Sequence, residues 1–114
     1  MPSEEPLGGY LPLETFHATA RPLPEGLALA SGRACVAAVL RHMRPERLWV
    51  PHYICDSAYA AALELGVEVA HYAIGPDMLP QRPPDPGNGR DMLLVVDYFG
   101  LLRPALDPLL QAWG

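Results

Sequence analysis

Leu27-Ala28-Leu29-Ala30-Ser31-Gly32-Arg33-Ala34-Cys35-Val36-Ala37-Ala38-Val39-Leu40 is the stretch from which the fold is deduced. Its first four residues predict a short apolar strand, Ser31-Gly32 a tight turn, and the remainder a helix. Val36, Val39, Leu40 and Met43 recur at helical spacing and give that helix one apolar face. Ser31 stands where an N-cap belongs, so its hydroxyl can accept a backbone N–H of the first turn. The amides of Gly32, Arg33 and Ala34 would then point out of the positive end of the helix dipole. Gly32 lets an anion approach the backbone closely, and Arg33 adds a permanent charge with a planar fork of donors. Two readings follow: a phosphate seat built from backbone and one side chain, or an ordinary capped helix after a strand.

Composition narrows the class. At 114 residues the chain is one domain or part of one, and with half its residues hydrophobic its body is expected to fold. A net charge of −5 without any basic stripe argues against nucleic acid as a partner. No apolar run approaches membrane-spanning length, and the N-terminus lacks a signal pattern, so no membrane partner is expected. Cys35 and Cys55 form neither a CxxC pair nor a disulfide framework, which fits a reducing, cytoplasmic setting. All eight basic residues are Arg; the chain contains no Lys.

Outward from the opening stretch, residues 1–26 are rich in Pro and Gly and predict an extended arm. Arg41, His42 and Arg44 place positive charge at the end of the first helix, and Pro45 stops it. Leu48-Trp49-Val50 predicts a strand ended by Pro51. A helix is expected over residues 56–65, capped by Asp56 or Ser57 and closed by Gly66 as the C′ residue. Residues 67–72 predict a strand, and residues 75–91, with five prolines, a loop without regular structure. Residues 92–96 are apolar on both faces, the pattern of a buried parallel strand. Residues 102–113 predict a helix, with Asp107-Pro108 as a cap and N1 pair.

The succession β-α-β-α-β-loop-β-α predicts an α/β fold with a parallel sheet and flanking helices. Ligands of such sheets gather at the carboxyl ends of the strands. Ser31-Gly32-Arg33, Pro51-His52-Tyr53-Ile54-Cys55-Asp56 and Asp97-Tyr98-Phe99-Gly100 would all arrive there. Other residues have plainer expectations. His52, Cys55 and Asp56 contain the elements of a thiol nucleophile with a base, set against Cys55 as a small residue near a cap. Cys35 is expected as a core filler, Trp49 as core packing, and Trp113 on the apolar face of the last helix. His17, His42 and His71 lack metal-ligand spacing, and Arg82 and Arg90 flank the proline-rich loop as solvated charges.

Taken in order, Ser31-Gly32-Arg33-Ala34, then Trp49-Val50-Pro51-His52-Tyr53-Ile54-Cys55-Asp56-Ser57, then Val95-Val96-Asp97-Tyr98-Phe99-Gly100 resembles the start of fold-type-I pyridoxal-phosphate enzymes. The chain is most similar to the DegT/DnrJ/EryC1/StrS sugar-aminotransferase group, over residues 27–114. The resemblance implies an incomplete large domain of that transferase fold, preceded by an N-terminal arm. It implies that Ser31, Gly32, Arg33 and Ala34 match the turn that holds the cofactor phosphate, with Arg33 in place of the usual Thr. Tyr53 would match the aromatic that stacks on the pyridine ring, and Asp97 would lie beside the site. The carboxylate that pairs with the pyridine nitrogen belongs to the family's next strand, beyond Gly114, as does the catalytic Lys. With no Lys to condense with the cofactor aldehyde, the chain is expected to be inactive alone, as the N-terminal portion of a larger homodimeric protein. The family's strand order would place residues 92–96 beside residues 48–50, and those beside residues 67–72. One edge would then stay unpaired and favour self-association. A non-catalytic α/β anion-binding or assembly module is the alternative.

Overall fold

The computed structural model describes residues 25–87 and 89–114. The expected arm, residues 1–26, therefore lies outside the described residues except for its last two. Helix α1 spans Gly32–Met43, and Ser31 is its N-cap: the Ser31 hydroxyl accepts the Ala34 amide at 3.1 Å. Arg41 and His42 occupy its last turn, and Arg44 adopts the left-handed conformation that ends it, donating its amide to the Leu40 carbonyl. Strand β1, Arg47–Pro51, follows after three residues.

After β1 the expected continuous helix is divided. A 3-10 turn, Asp56–Ala58, leads into α2, Ala60–Glu64, because Tyr59 between them leaves helical geometry. Neither piece has a side-chain cap, so the expected role for Asp56 or Ser57 is corrected. Gly66 does close the segment, with a φ of 73° that a residue with a Cβ adopts only at a cost. Strand β2 is Glu68–Ile74, β3 is Pro80–Gln81, β4 is Asp91–Leu93, and α3 is Arg103–Trp113.

The four strands form one mixed sheet in the order β3-β2-β1-β4, with β2, β1 and β4 parallel and β3 antiparallel to β2. The expected order of the three parallel strands is observed. Two differences concern the strands themselves. The proline-rich stretch contains β3, since Pro80 and Gln81 fold back beside Ile74 and Ala73. Strand β4 stops at Leu93, although the Leu94 amide still donates to the Trp49 carbonyl at 2.8 Å.

Register determines the two faces. Leu48 lies beside Val69 and Met92, and this face meets α1 and α2. Leu40, Leu48, Val50 and Ala62 form the buried centre, with Val36, Ile54, Val67 and Leu94 packed around it. Trp49, one residue along β1, points to the other face and donates its indole N–H to Asp91 at 2.9 Å. Arg47 ties three strand starts together, bonding Glu68 on β2 at 3.0 Å and approaching Asp91 on β4 at 3.5 Å.

Two expected elements are corrected. Residues 27–30 are not a strand; Leu27 is 80 % exposed, and these residues have no strand neighbour among the described residues. An isolated extended segment has no partner for its backbone groups except water, so its apolar alternation is not enough. Asp107-Pro108 is not a helix start: α3 begins at Arg103 with Pro104 in its first turn, and Pro108 lies inside it. The opening amide of this segment is instead held by Asp97, whose Oδ1 accepts the Leu102 N–H at 2.8 Å. Asp107 pairs with Arg103 at 2.7 Å across one turn. Cys35 is exposed rather than a core filler. No helix among the described residues is long and apolar enough to cross a membrane.

Tyr72 supplies a stability prediction. It is 4 % exposed, and its hydroxyl donates to the Leu94 carbonyl at 2.8 Å, linking β2 to the chain leaving β4. Burial, assisted by the neighbouring Tyr98, raises its pKa far above the ordinary value of 10. A folded-state pKa raised above the unfolded one gives stability that is fully present below the unfolded value and lost as pH rises beyond it. Urea midpoints should therefore fall as pH is raised above about 10. Tyr72→Phe should flatten that decline while costing about 1 kcal/mol at neutral pH from the lost hydrogen bond.

Candidate functional site

The chain leaving β1 and β4 brings two of the three candidate segments together, through Tyr53 and Tyr98, while the start of α1 is tied to α2 through Arg33 and Glu64. Helix α1 has 12 residues and rises about 18 Å, while the five residues of β1 extend about 16 Å. Because the two elements are joined by three residues and pack through Leu40, Leu48 and Val50, the start of α1 lies level with the end of β1. Helix α1 also packs against the 3-10 turn that follows β1.

At the start of α1, Ser31, Gly32 and Arg33 are exposed. A Cβ on Gly32 would meet no atom within 4 Å, so no neighbour covers this exposed residue on its side-chain side. The Ala34 amide is already satisfied by Ser31, which leaves Gly32 and Arg33 as the amides able to take an external acceptor. The Ser31 hydroxyl keeps its own proton to donate. Arg33 does not extend freely: its guanidinium donates to Glu64 Oε1 at 2.6 Å, tying α1 to the end of α2.

Tyr53 follows β1 and is 65 % exposed. Its ring lies 5.6 Å from that of Tyr98, tilted by 35°, and the Tyr98 hydroxyl donates to the Tyr53 carbonyl. Partial burial, then the neighbouring Tyr53, raises the Tyr98 pKa, keeping that phenol a donor. Asp97 accepts the Leu102 and Gly100 amides through its side chain and carbonyl, so it shapes the turn that displays Phe99. Phe99 is 86 % exposed with a φ of 59°, a left-handed conformation costly for a residue with a bulky side chain.

The separate thiol arrangement is not assembled. The Ser57 hydroxyl donates to Cys55 Sγ at 3.2 Å, and the thiol faces Asp56 Oδ1 at 3.6 Å. The His52 imidazole lies flat on that of His71 instead, with ring centres 5.1 Å apart and planes 18° from parallel. Tyr59 meets His71 edge-on at 5.4 Å. This stacking escaped sequence reasoning because it depends on register: Val50 lies beside His71, and the His52 amide donates to the Tyr72 carbonyl at 2.9 Å.

No group of three or more His, Cys, Asp or Glu able to hold a metal occurs among the described residues. The start of α1 offers two amides and a hydroxyl, and the chain after β1 and β4 offers an exposed phenol ring beside a hydrogen-bonded turn. That set can grip an oxyanion and cover a planar ring, and it contains no primary amine. No family model, curated protein or solved structure matches the chain.

Proposed function

We propose that residues 27–114 are the cofactor-phosphate half of a pyridoxal-phosphate-dependent aminotransferase-like protein, of the DegT/DnrJ/EryC1/StrS kind and fold type I. Its whole would transfer an amino group to a keto-sugar or related carbonyl compound. The observation that carries the proposal is the exposed, Ser31-capped start of α1, together with the contact of Tyr53 and the Asp97 turn after β1 and β4 of a β2-β1-β4 parallel sheet. The residues present fit the phosphate and the ring. Gly32 and Arg33 amides and the Ser31 hydroxyl would hold the phosphate, with the helix dipole behind them. Tyr53 would cover one face of the ring, and Asp97 would keep the neighbouring turn in place.

The cofactor, when bound, supplies the aldehyde and the electron sink that amino-group transfer needs. The residues of this chain bind and orient it but do not bond to it, because all eight basic side chains are guanidiniums. The Lys amine would come from another segment or a second subunit of a homodimer. The absence of Lys also favours a second reading, an α/β anion-binding module without chemistry.

An absorbance titration with pyridoxal phosphate tests the seat. Saturable binding is expected, without a product trapped on lysine by borohydride. Gly32→Val adds bulk beside the exposed amides at a position where a Cβ meets no neighbour, and should weaken binding at least about tenfold. Arg33→Ala should weaken it less, since that guanidinium is shared with Glu64. An affinity unchanged by both substitutions would remove the seat.

A further inference from the structure

Among the described residues, 27–30 have the sequence of a strand and no strand beside them, while β4 has a second edge and no strand along it. We infer that the two meet between copies: Leu27-Ala28-Leu29-Ala30 of a second copy docks along the free edge of β4, parallel to it, and extends the sheet by one strand.

The free edge of β4 borders a slot. A hollow of about 500 Å³ lies against it, walled by Met43 and Arg44 at the end of α1 and by Leu110 and Trp113 at the end of α3, and no residue of β1 lines it. Met92 and Leu93 also line the apolar groove beside α1, of about 250 Å³, so the two hollows adjoin along β4. Strand β4 has three residues, and the Leu94 amide carries its pairing one residue further. A docked strand of four residues spans about 13 Å, which matches that edge.

Residues 27–30 suit this slot. Successive side chains of a strand point to opposite faces, so Leu27 and Leu29 enter the apolar groove beside α1 while the small Ala28 and Ala30 face the other way. All four are exposed in their own copy, Leu27 at 80 %, and taking the two leucines out of water drives the contact. The backbone groups of the segment and of the β4 edge then satisfy one another, as when an extended peptide adds to a sheet.

Charge sets the direction. Glu25, two residues before Leu27, and Arg44 each lack an ion partner among the described residues. Arg44 lines the same hollow as Asp91, the first residue of β4. A parallel strand brings Glu25 to that end of the slot, whereas an antiparallel one carries it away past Leu94. A four-residue contact buries less than the roughly 1,200 Å² of a tight complex, which fits association in the micromolar range. The inference does not rest on the cofactor reading and uses none of the residues assigned to the phosphate or the ring.

The test mixes two variants of the full chain and reads their mass by light scattering at about 100 µM. Val39→Glu with Met43→Glu spoils the slot and keeps the strand; Leu27→Lys with Leu29→Lys spoils the strand and keeps the slot. All four positions are exposed, so both variants should keep the urea midpoint of the parent. Each should be monomeric alone. Mixed, they should form a complex of two copies and nothing larger, because one supplies the edge and the other the strand. Ala28→Pro and Leu29→Pro check the pairing without adding charge: neighbouring amides of a strand face opposite edges, so one of the two should weaken association at least about tenfold. Glu25→Arg and Arg44→Glu should each weaken it about threefold at low salt, and the two together should restore it. The inference is overturned if Leu27→Lys with Leu29→Lys associates as the parent does, if the mixture stays monomeric, or if neither proline has an effect. A double charge reversal weaker than both single changes overturns it too. So does a monomeric parent, in which the segment would lie on the edge of its own copy.

Discussion

Val50→Asp should abolish the cooperative unfolding transition, whereas Leu63→Asp should leave it nearly unchanged. Val50 is wholly enclosed, at 0 % exposure, on the face of β1 that meets α1 and α2. Its closest partners are apolar: Leu40, Leu48 and Ala62 complete the buried centre. No buried polar or charged side chain occurs among the described residues, so nothing there can neutralise a carboxylate. The cost of an unpaired buried charge is on the order of 4 kcal/mol or more. A small domain has roughly 5–10 kcal/mol in all, and this core has few fully buried members to draw on. Leu63 also lies on an element of the core layer, but it is 60 % exposed, and an acid there stays in water. Urea denaturation followed by far-UV circular dichroism distinguishes the two. A Val50→Asp chain that unfolds cooperatively, within about 1 kcal/mol of the parent, would mean that this face of β1 is not the centre of the core.

Those residues were readable from the sequence because their signals are local. Val36, Val39 and Leu40 recur at helical spacing, Ser31 caps the helix they form, and Leu48-Trp49-Val50 ends at a proline. Gly66 declared the end of the second helical segment by the conformation it alone adopts cheaply. Features that depend on distant partners were not readable. The Leu-Ala alternation of residues 27–30 has strand character, yet pairing requires a neighbour that the described residues do not provide. Pro80 and Gln81 carry no strand signal, and their pairing is set by β2. Pro108 reads as a helix start until Asp97, five residues before Leu102, is seen to hold that segment's first amide.

The candidate site divides the same way. The Ser31 cap and the exposure of Gly32 follow from three adjacent residues, and the structure has both. The tie between Arg33 and Glu64 joins residues 31 positions apart, and no spacing rule anticipates it. The stacked histidines are likewise a product of tertiary register.

Self-association is the second large effect expected. Strand β4 pairs with β1 along one edge and with no other strand along its second edge among the described residues. Beside that edge runs a shallow apolar groove between α1 and β4, lined by Cys35, Val36, Val39, Met92, Leu93 and Leu94. Val39 and Met43, 48 % and 61 % exposed, extend the groove along α1. An open strand edge supplies unpaired amides and carbonyls, and the adjacent apolar strip supplies the area that makes pairing favourable. Light scattering of the purified chain should therefore show a mass that rises with concentration through the micromolar range. The double change Val39→Glu and Met43→Glu alters solvent-facing positions of α1 and spares the enclosed Leu40, so the fold should persist. It should return the chain to a monomer, because two copies brought together at this strip would then face each other with like charges and buried carboxylates. The same change leaves the β4 backbone edge untouched, so restoration of the monomer would place the driving force in the apolar strip rather than in strand pairing alone. A parent chain that remains a single monomeric species at about 100 µM would show that this edge is covered from within the polypeptide itself.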